Sequence, residues 1–163
     1  MKEVFFTGKC DGIGISHVAR DCDLTETIGL YKNEYQIYYI LDGERFFYQG
    51  SKSYRMDRGT LTFIDKRQIP FTNVIGGKYH ERILIEVDEK WLVSMGKAME
   101  LDLIGFFTNY HGVYRLEGKH LAAVEKKLKK MEEVMVQKRS CAPAEVKNLL
   151  ISVIVSMLCG AGT

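Results

Sequence analysis

The residues able to do acid–base or metal chemistry are few and scattered. The four histidines stand at His17, His80, His111 and His120. None lies within four residues of another histidine or of a cysteine, so the sequence holds no local metal-ligand cluster. Glu81 and Glu86 are five apart on one predicted strand and therefore face opposite ways, which excludes a carboxylate pair from that spacing. Gly12-x-Gly14 lacks the third glycine and the following helix of a dinucleotide fingerprint and reads as a turn. No phosphate-cradling loop and no nucleophile elbow occur. General acid–base work would fall to His80, Glu81 and Tyr38, the local candidates. Cys10, Cys22, Cys141 and Cys159 form no CxxC pair, and in a reducing compartment they read as buried free thiols.

Aromatic residues are the one concentrated resource. Eleven of the 18 fall between Tyr31 and Tyr79. Such density fits strand propensity and core filling. It also fits a barrel interior that stacks a small ligand such as a sugar.

The elements that must position these residues divide near residue 88. Before it, turn signals recur every eight residues or so with no helix between them, which argues for an antiparallel sandwich or small barrel. Residues 1–30 read as further strands broken at Gly8, Gly12 and Gly14. Asp42-Gly43, flanked by aromatic and β-branched runs, reads as a two-residue type I′ hairpin turn. Turns at residues 49–52 and 57–59 bound a short strand through Tyr54 and Met56. Thr60 to Ile64, Phe71 to Ile75 and Tyr79 to Val87 read as strands. After Val87, Asp88 can cap a short helix carrying Trp91, Leu92 and Met95, and glycines at 105 and 112 break up the stretch after that helix. A long helix is expected over 119–138, with Leu121, Val124, Leu128, Met131 and Met135 at alternating steps of three and four, a narrow a/d seam. A second, over 144–159, starts at Pro143 and is apolar nearly all round, so it must be covered on more than one side. Either these two helices pack together or a partner shares them.

Composition narrows the function classes. The chain has 163 residues, 46% of them apolar and 27% charged, enough for one domain with a real core. The net charge of +2 gives no electrostatic footprint for nucleic acid, and the lysine run at 126–130 is flanked by Glu125, Glu132 and Glu133 as on a solvated helix face. Residues 1–8 do not read as a signal peptide, and the longest greasy run, 149–159, is shorter than the roughly 20 residues of a membrane span. A cytoplasmic location is expected.

A resemblance adds to this reading. The stretch 30–44, with Tyr35, Tyr38, Asp42 and Gly43, resembles the first cupin motif as it occurs in AraC-type transcription regulators. The stretch 54–65 resembles the second motif, and 79–88 is similar to the strand after it. Val113 to Leu116 and the two final helices also fit the sensor domain of that family, so the likeness covers about residues 30–159. It implies a cupin-like double-stranded β-helix (a jelly-roll barrel) over 1–88, followed by a helical extension over 89–163 whose helical hairpin mediates dimerisation. Metal-dependent cupins supply histidines and a glutamate where this sequence has Leu30, Lys32, Gln36 and Pro70, so no metal or other cofactor is expected.

If Leu30, Lys32 and Gln36 face the barrel interior, strand alternation brings Tyr38 and Ile40 there too. Phe63 or Thr62 could join from the facing strand. The expected ligand-binding set is therefore Leu30, Lys32, Gln36, Tyr38, Phe63 and His80, taking a small effector such as a sugar. The expected dimer interface is Leu121, Val124, Leu128, Met131 and Met135, with Leu150, Val153 and Met157 from the last helix. The sequence shows no helix-turn-helix, so this stretch is expected not to bind DNA specifically; the full-length regulator would. Two rival readings remain at this point, a metal-free cupin isomerase or epimerase and a solid barrel that serves only as an interaction module.

Overall fold

The computed structural model describes residues 2–21, 26–27, 34–67, 72–75, 79–109 and 113–160. Two Asp-Gly pairs set the layout of its strands. The first, Asp11-Gly12, is a two-residue hairpin turn, with both residues at positive φ (45° and 86°) and Cys10 paired to Ile13. It joins β1 (Lys2–Cys10) to β2 (Ile13–Arg20). Gly8 and Gly14 lie within these strands rather than breaking them.

The second pair, Asp42-Gly43, does not turn the chain, contrary to the hairpin reading. Residues Glu34–Gln49 form one continuous strand, β4, of 16 residues. Its register on the neighbouring strand slips by one between Ile40 and Asp42, so Leu41 is bulged. Only Gly43 takes positive φ, at 81°; Asp42 does not. A bulge and a type I′ turn both need a left-handed glycine, which is why the same dipeptide serves either. A Cβ at position 43 would lie 2.0 Å from the carbonyl oxygen of Tyr79, so glycine is required there for space as well.

The bulge lets β4 belong to two sheets. Its first half pairs with β6 (Thr60–Ile64) and β8 (His80–Asp88); its second half pairs with β5 (Lys52–Asp57) and β7 (Thr72–Ile75). The first sheet runs β1-β2-β8-β4-β6-β9, where β9 is Tyr114–Arg115, and β7 also pairs with β3 (Glu26–Thr27). Every pairing among the described residues is antiparallel. The result is the expected jelly-roll barrel with a C-terminal helical hairpin.

Among the described residues, four helices cover the outer face of the first sheet: α1 (Glu89–Met99), α2 (Leu103–Asn109), α3 (Gly118–Gln137) and α4 (Ala142–Gly160). Asp88 caps α1 by accepting from the Lys90 N–H at 3.1 Å. Helix α2 was not expected. Gly105 sits inside it rather than ending it, because its N–H donates to Asp102 Oδ1 at 2.9 Å and a Cβ there would meet that carboxylate.

Strand alternation divides the apolar residues into two cores. Ile13, Ile15, Tyr35, Ile37, Tyr39, Ile83, Ile85 and Val87 face the helices; Tyr38, Ile40, Phe47, Met56 and Ile64 fill the barrel. The expected dimer seam is buried within the one chain. Val124, Leu128, Met131, Met135, Leu150, Val153 and Met157 are at most 8% exposed, and Leu121 is half-buried against the same core. Apolar spacing of three and four fixes a stripe but not its partner. Here α4, the antiparallel neighbour joined through residues 138–141, covers it together with the sheet. The expectation of buried thiols also fails: Cys10 is half-buried, while Cys141 in the α3–α4 turn and Cys159 at the end of α4 are exposed. Cys22 lies outside the described residues.

Candidate functional site

The inner face of the barrel gathers polar groups from three strands. On β4 the face is even-numbered before the bulge (Gln36, Tyr38, Ile40) and odd-numbered after it (Arg45, Phe47). On β8 it carries His80, Arg82 and Leu84, because Tyr38 pairs with Leu84, Ile40 with Arg82 and Gly43 with His80. On β6 it carries Thr62, opposite Tyr38.

Arg45 and His80 are fully buried, as are Tyr38 and Thr62, and Arg82 is nearly so. Arg45 Nη1 donates to the Tyr38 hydroxyl at 3.3 Å and stands 3.0 Å from His80 Nε2. A guanidinium has no acceptor, so His80 Nε2 accepts and the ring proton sits on Nδ1. The Arg82 guanidinium lies over the Tyr38 ring, 5.7 Å from its centroid, and donates to the carbonyl and the hydroxyl of Ser16 at 3.2 and 3.3 Å. Gln36 is 1% exposed, and its Oε1 meets no hydrogen-bond donor among the described residues.

Of the residues expected to bind ligand, Gln36, Tyr38 and His80 thus come together on one face. Leu30 and Lys32, like Pro70 and His111, lie outside the described residues. Phe63 points the other way, into the helix-facing core, with its ring 4.6 Å from that of Phe106 and 5.7 Å from that of Phe107. Thr62, its neighbour, takes the inward place. Arg82 was legible from His80 by alternation on β8. Arg45 was not, because the bulge inverts the parity of β4 between it and Tyr38.

Glu81 separates from His80 for the same reason that adjacent strand residues always do. It faces α3, where His17 bridges it to Glu132: His17 Nε2 is 2.6 Å from Glu81 and Nδ1 is 2.9 Å from Glu132. Burial pulls the His17 imidazolium pKa down, but hydrogen bonds to Glu132 and Glu81 outweigh it and leave the pKa raised. A second tie to α3 is the Tyr39 hydroxyl, which donates to buried Glu125 at 2.8 Å. Burial and that carboxylate push the Tyr39 pKa far up. Each tie adjoins an inward residue: Tyr39 follows Tyr38, Glu81 precedes Arg82, and His17 follows Ser16.

Two surface features compete with the interior. A cleft of about 490 Å³ is lined by Asp42, Glu44, Arg55, Asp57, Arg58 and Arg115 among others. Its charges are paired with one another, Arg55 to Glu44 and Arg115 to Asp57, each at 2.6 Å. A groove on the exposed side of α3 has Ala122, Ala123 and Leu149 between lysines. The buried carboxylate that lines the groove, Glu125, already accepts from the Tyr39 hydroxyl. Among the described residues, no group of three or more His, Cys, Asp or Glu is placed to hold a metal ion.

No protein-family model and no curated protein sequence matches the chain. Solved structures do. The AraC-like transcriptional activator CuxR is 11% identical with a TM-score of 0.58, over 94% of this chain and 55% of that one. ToxT from Vibrio cholerae O395 is 13% identical with a TM-score of 0.52, over 88% of this chain and 54% of that one. The chain therefore spans about half the length of these regulators, and the likeness establishes a shared fold.

Proposed function

We propose that this chain is the effector-sensing part of an AraC-type transcription regulator, with the inner face of the barrel as a small-molecule site and α3 as the element that reads its occupancy. The observation that carries the reading is the buried cluster of Gln36, Tyr38, Arg45, His80 and Arg82. A barrel that served only as a scaffold would be filled with apolar side chains, since each buried polar group costs free energy unless it is satisfied. A few convergent polar groups among Ile40, Phe47, Met56 and Ile64 are the chemistry of a ligand site. The shared fold over most of two regulators supports the same reading. DNA reading then belongs to the half of such a regulator that this chain does not match.

A metal-free isomerase or epimerase is disfavoured by one observation. Of its candidate acid–base groups, Glu81 faces α3 rather than the barrel, and the two that do share the inner face, Tyr38 and His80, both accept from the Arg45 guanidinium. A homodimer, which the family resemblance implies, would use surfaces other than the buried α3–α4 seam.

A thermal-shift screen of small metabolites tests the proposal. A ligand at 100 times its Kd stabilises by about 2.7 kcal/mol, about 5–10 °C in Tm for a chain of this size. Arg45→Gln should abolish that shift. A screen in which no metabolite raises Tm, or in which every hit persists in Arg45→Gln, refutes a site at this cluster.

A further inference from the structure

In the sequence the lysines of α3 read as part of a face that neighbouring glutamates neutralise. The fold separates the two signs. Glu125 turns inward, where it accepts from the Tyr39 hydroxyl and meets Arg58 at 3.5 Å. Glu132 turns toward the sheet and meets His17 at 2.9 Å. Of the three, Glu133 stays outside, 3.4 Å from Lys130. At about 100° per residue, Lys119, Lys126, Lys129 and Lys130 share its side of the helix, together with Ala122 and Ala123, within about one third of the circumference. All of these residues are exposed. Lys119, Lys126 and Lys129 meet no carboxylate among the described residues. The outer face of α3 is therefore basic, although the chain as a whole is nearly neutral. From Lys119 to Lys130 it runs about 16.5 Å at 1.5 Å per residue.

This face has charge but no anchors. The groove along it is floored by Ala122, Ala123 and the half-buried Leu149 of α4, and no aromatic residue or arginine lines it among the described residues. Protein interfaces centre on aromatic or arginine anchors and are depleted in lysine. A second copy of the chain would set lysine against lysine. Phosphates need neither pocket nor anchor, since they are held through charge alone.

We propose that the outer face of α3 docks on the phosphate backbone of duplex DNA, without reading bases. The inner side of the same helix is tied to the barrel through Tyr39 and His17, so α3 lies between the sensor interior and the nucleic acid. That this DNA is a regulator's own site rests on the function proposed above; the contact itself rests on the charges of α3.

Fluorescence anisotropy of labelled duplexes with the 163-residue chain tests the contact. A duplex of about 20 base pairs in about 50 mM salt should bind with a Kd on the order of 10–100 µM. Three or four lysine–phosphate contacts give a slope of about −2.7 to −3.6 for the logarithm of the binding constant against that of salt. Lys126→Gln combined with Lys130→Gln should weaken binding at least tenfold and make the slope shallower by about 1.8. Lys52→Gln combined with Lys97→Gln removes the same charge from exposed positions on β5 and α1, and should leave the slope unchanged. Circular dichroism should be the same for all three proteins, since every substituted lysine is exposed. No saturable binding in about 50 mM salt, or an equal loss in both pairs of variants, would overturn the docking face. Poly-glutamate competing as well as the duplex at equal charge would assign the face to an acidic protein and overturn the DNA contact. A preference of more than about tenfold between duplexes of unrelated sequence would overturn binding through the backbone alone. None of these outcomes bears on the barrel site, which the metabolite screen decides.

Discussion

Asp65 closes the last strand of the site onto the helices, and its energetics can be worked through. It follows β6 and is 1% exposed. Its carboxylate accepts from the Arg67 backbone N–H at 2.8 Å, from Arg67 Nη2 at 2.7 Å and from Thr108 Oγ1 on α2 at 2.7 Å. Burial alone would raise the carboxyl pKa, but the Arg67 and Thr108 hydrogen bonds outweigh it and hold it at about 2, against an ordinary 3.8. At 1.36 kcal/mol per pKa unit, the difference is about 2 kcal/mol of stability at neutral pH. The Arg67 side chain is 63% exposed, so solvent screens part of this and about 2 kcal/mol is a ceiling. A depressed carboxyl pKa stabilises the fold above the unfolded value and loses its contribution as pH falls through the folded one. The contribution should therefore shrink from about 2 kcal/mol at neutral pH to about 1 kcal/mol at pH 3. Asp65→Asn keeps the shape and removes the charge. Urea unfolding of wild type and variant should show a gap of about 1–2 kcal/mol at neutral pH that closes by about half at pH 3. A gap that does not change between the two pH values, or one below about 0.5 kcal/mol at neutral pH, refutes the reasoning.

Tyr39→Phe leaves the buried Glu125 carboxylate short of a donor and should cost about 1–3 kcal/mol in urea unfolding, with no change in the denaturant slope. The raised His17 pKa means that its bridge stabilises fully below the unfolded value of about 6.5 and fades as pH rises through the folded one. Wild type should therefore lose about 1 kcal/mol or more between pH 6 and pH 9 relative to His17→Gln, the scale of a charge-assisted hydrogen bond; parallel stability curves for the two proteins would count against the bridge. Gly43→Ala combines a disfavoured φ with a clash on the Tyr79 carbonyl and should cost more than about 3 kcal/mol, visible as loss of soluble protein or a collapsed Tm.

Much of the fold was legible because its signals are local. Asp88 announced α1, Thr60 to Ile64 matched β6 to the residue, and the period of Leu121 to Met135 marked α3. What failed depended on tertiary context. Asp42-Gly43 and Asp11-Gly12 are the same dipeptide, and only the strand that lies against each decides which one turns. The stripe on α3 could not announce that α4 of the same chain would cover it. At the site, alternation placed Gln36 and Tyr38 on a common face, but it could not carry across the Leu41 bulge to Arg45. Phe63 and Thr62 were indistinguishable until the pairing of β6 with Tyr38 fixed the phase.

The continuity of β4 has a kinetic consequence. It pairs with β5, β6, β7 and β8, while β2 reaches β8 from Ile13 to Val87, 74 residues along the chain. The barrel therefore closes mainly through distant pairings, which places its folding in the slow, millisecond-to-second range of high contact order. On the ribosome the β1–β2 hairpin emerges well before β8 and waits with one edge open. The stretch from Ile13 to Val87 is where a nascent chain is most exposed to misassociation, and a variant that delays β8 should aggregate during synthesis even if its native state is fully stable.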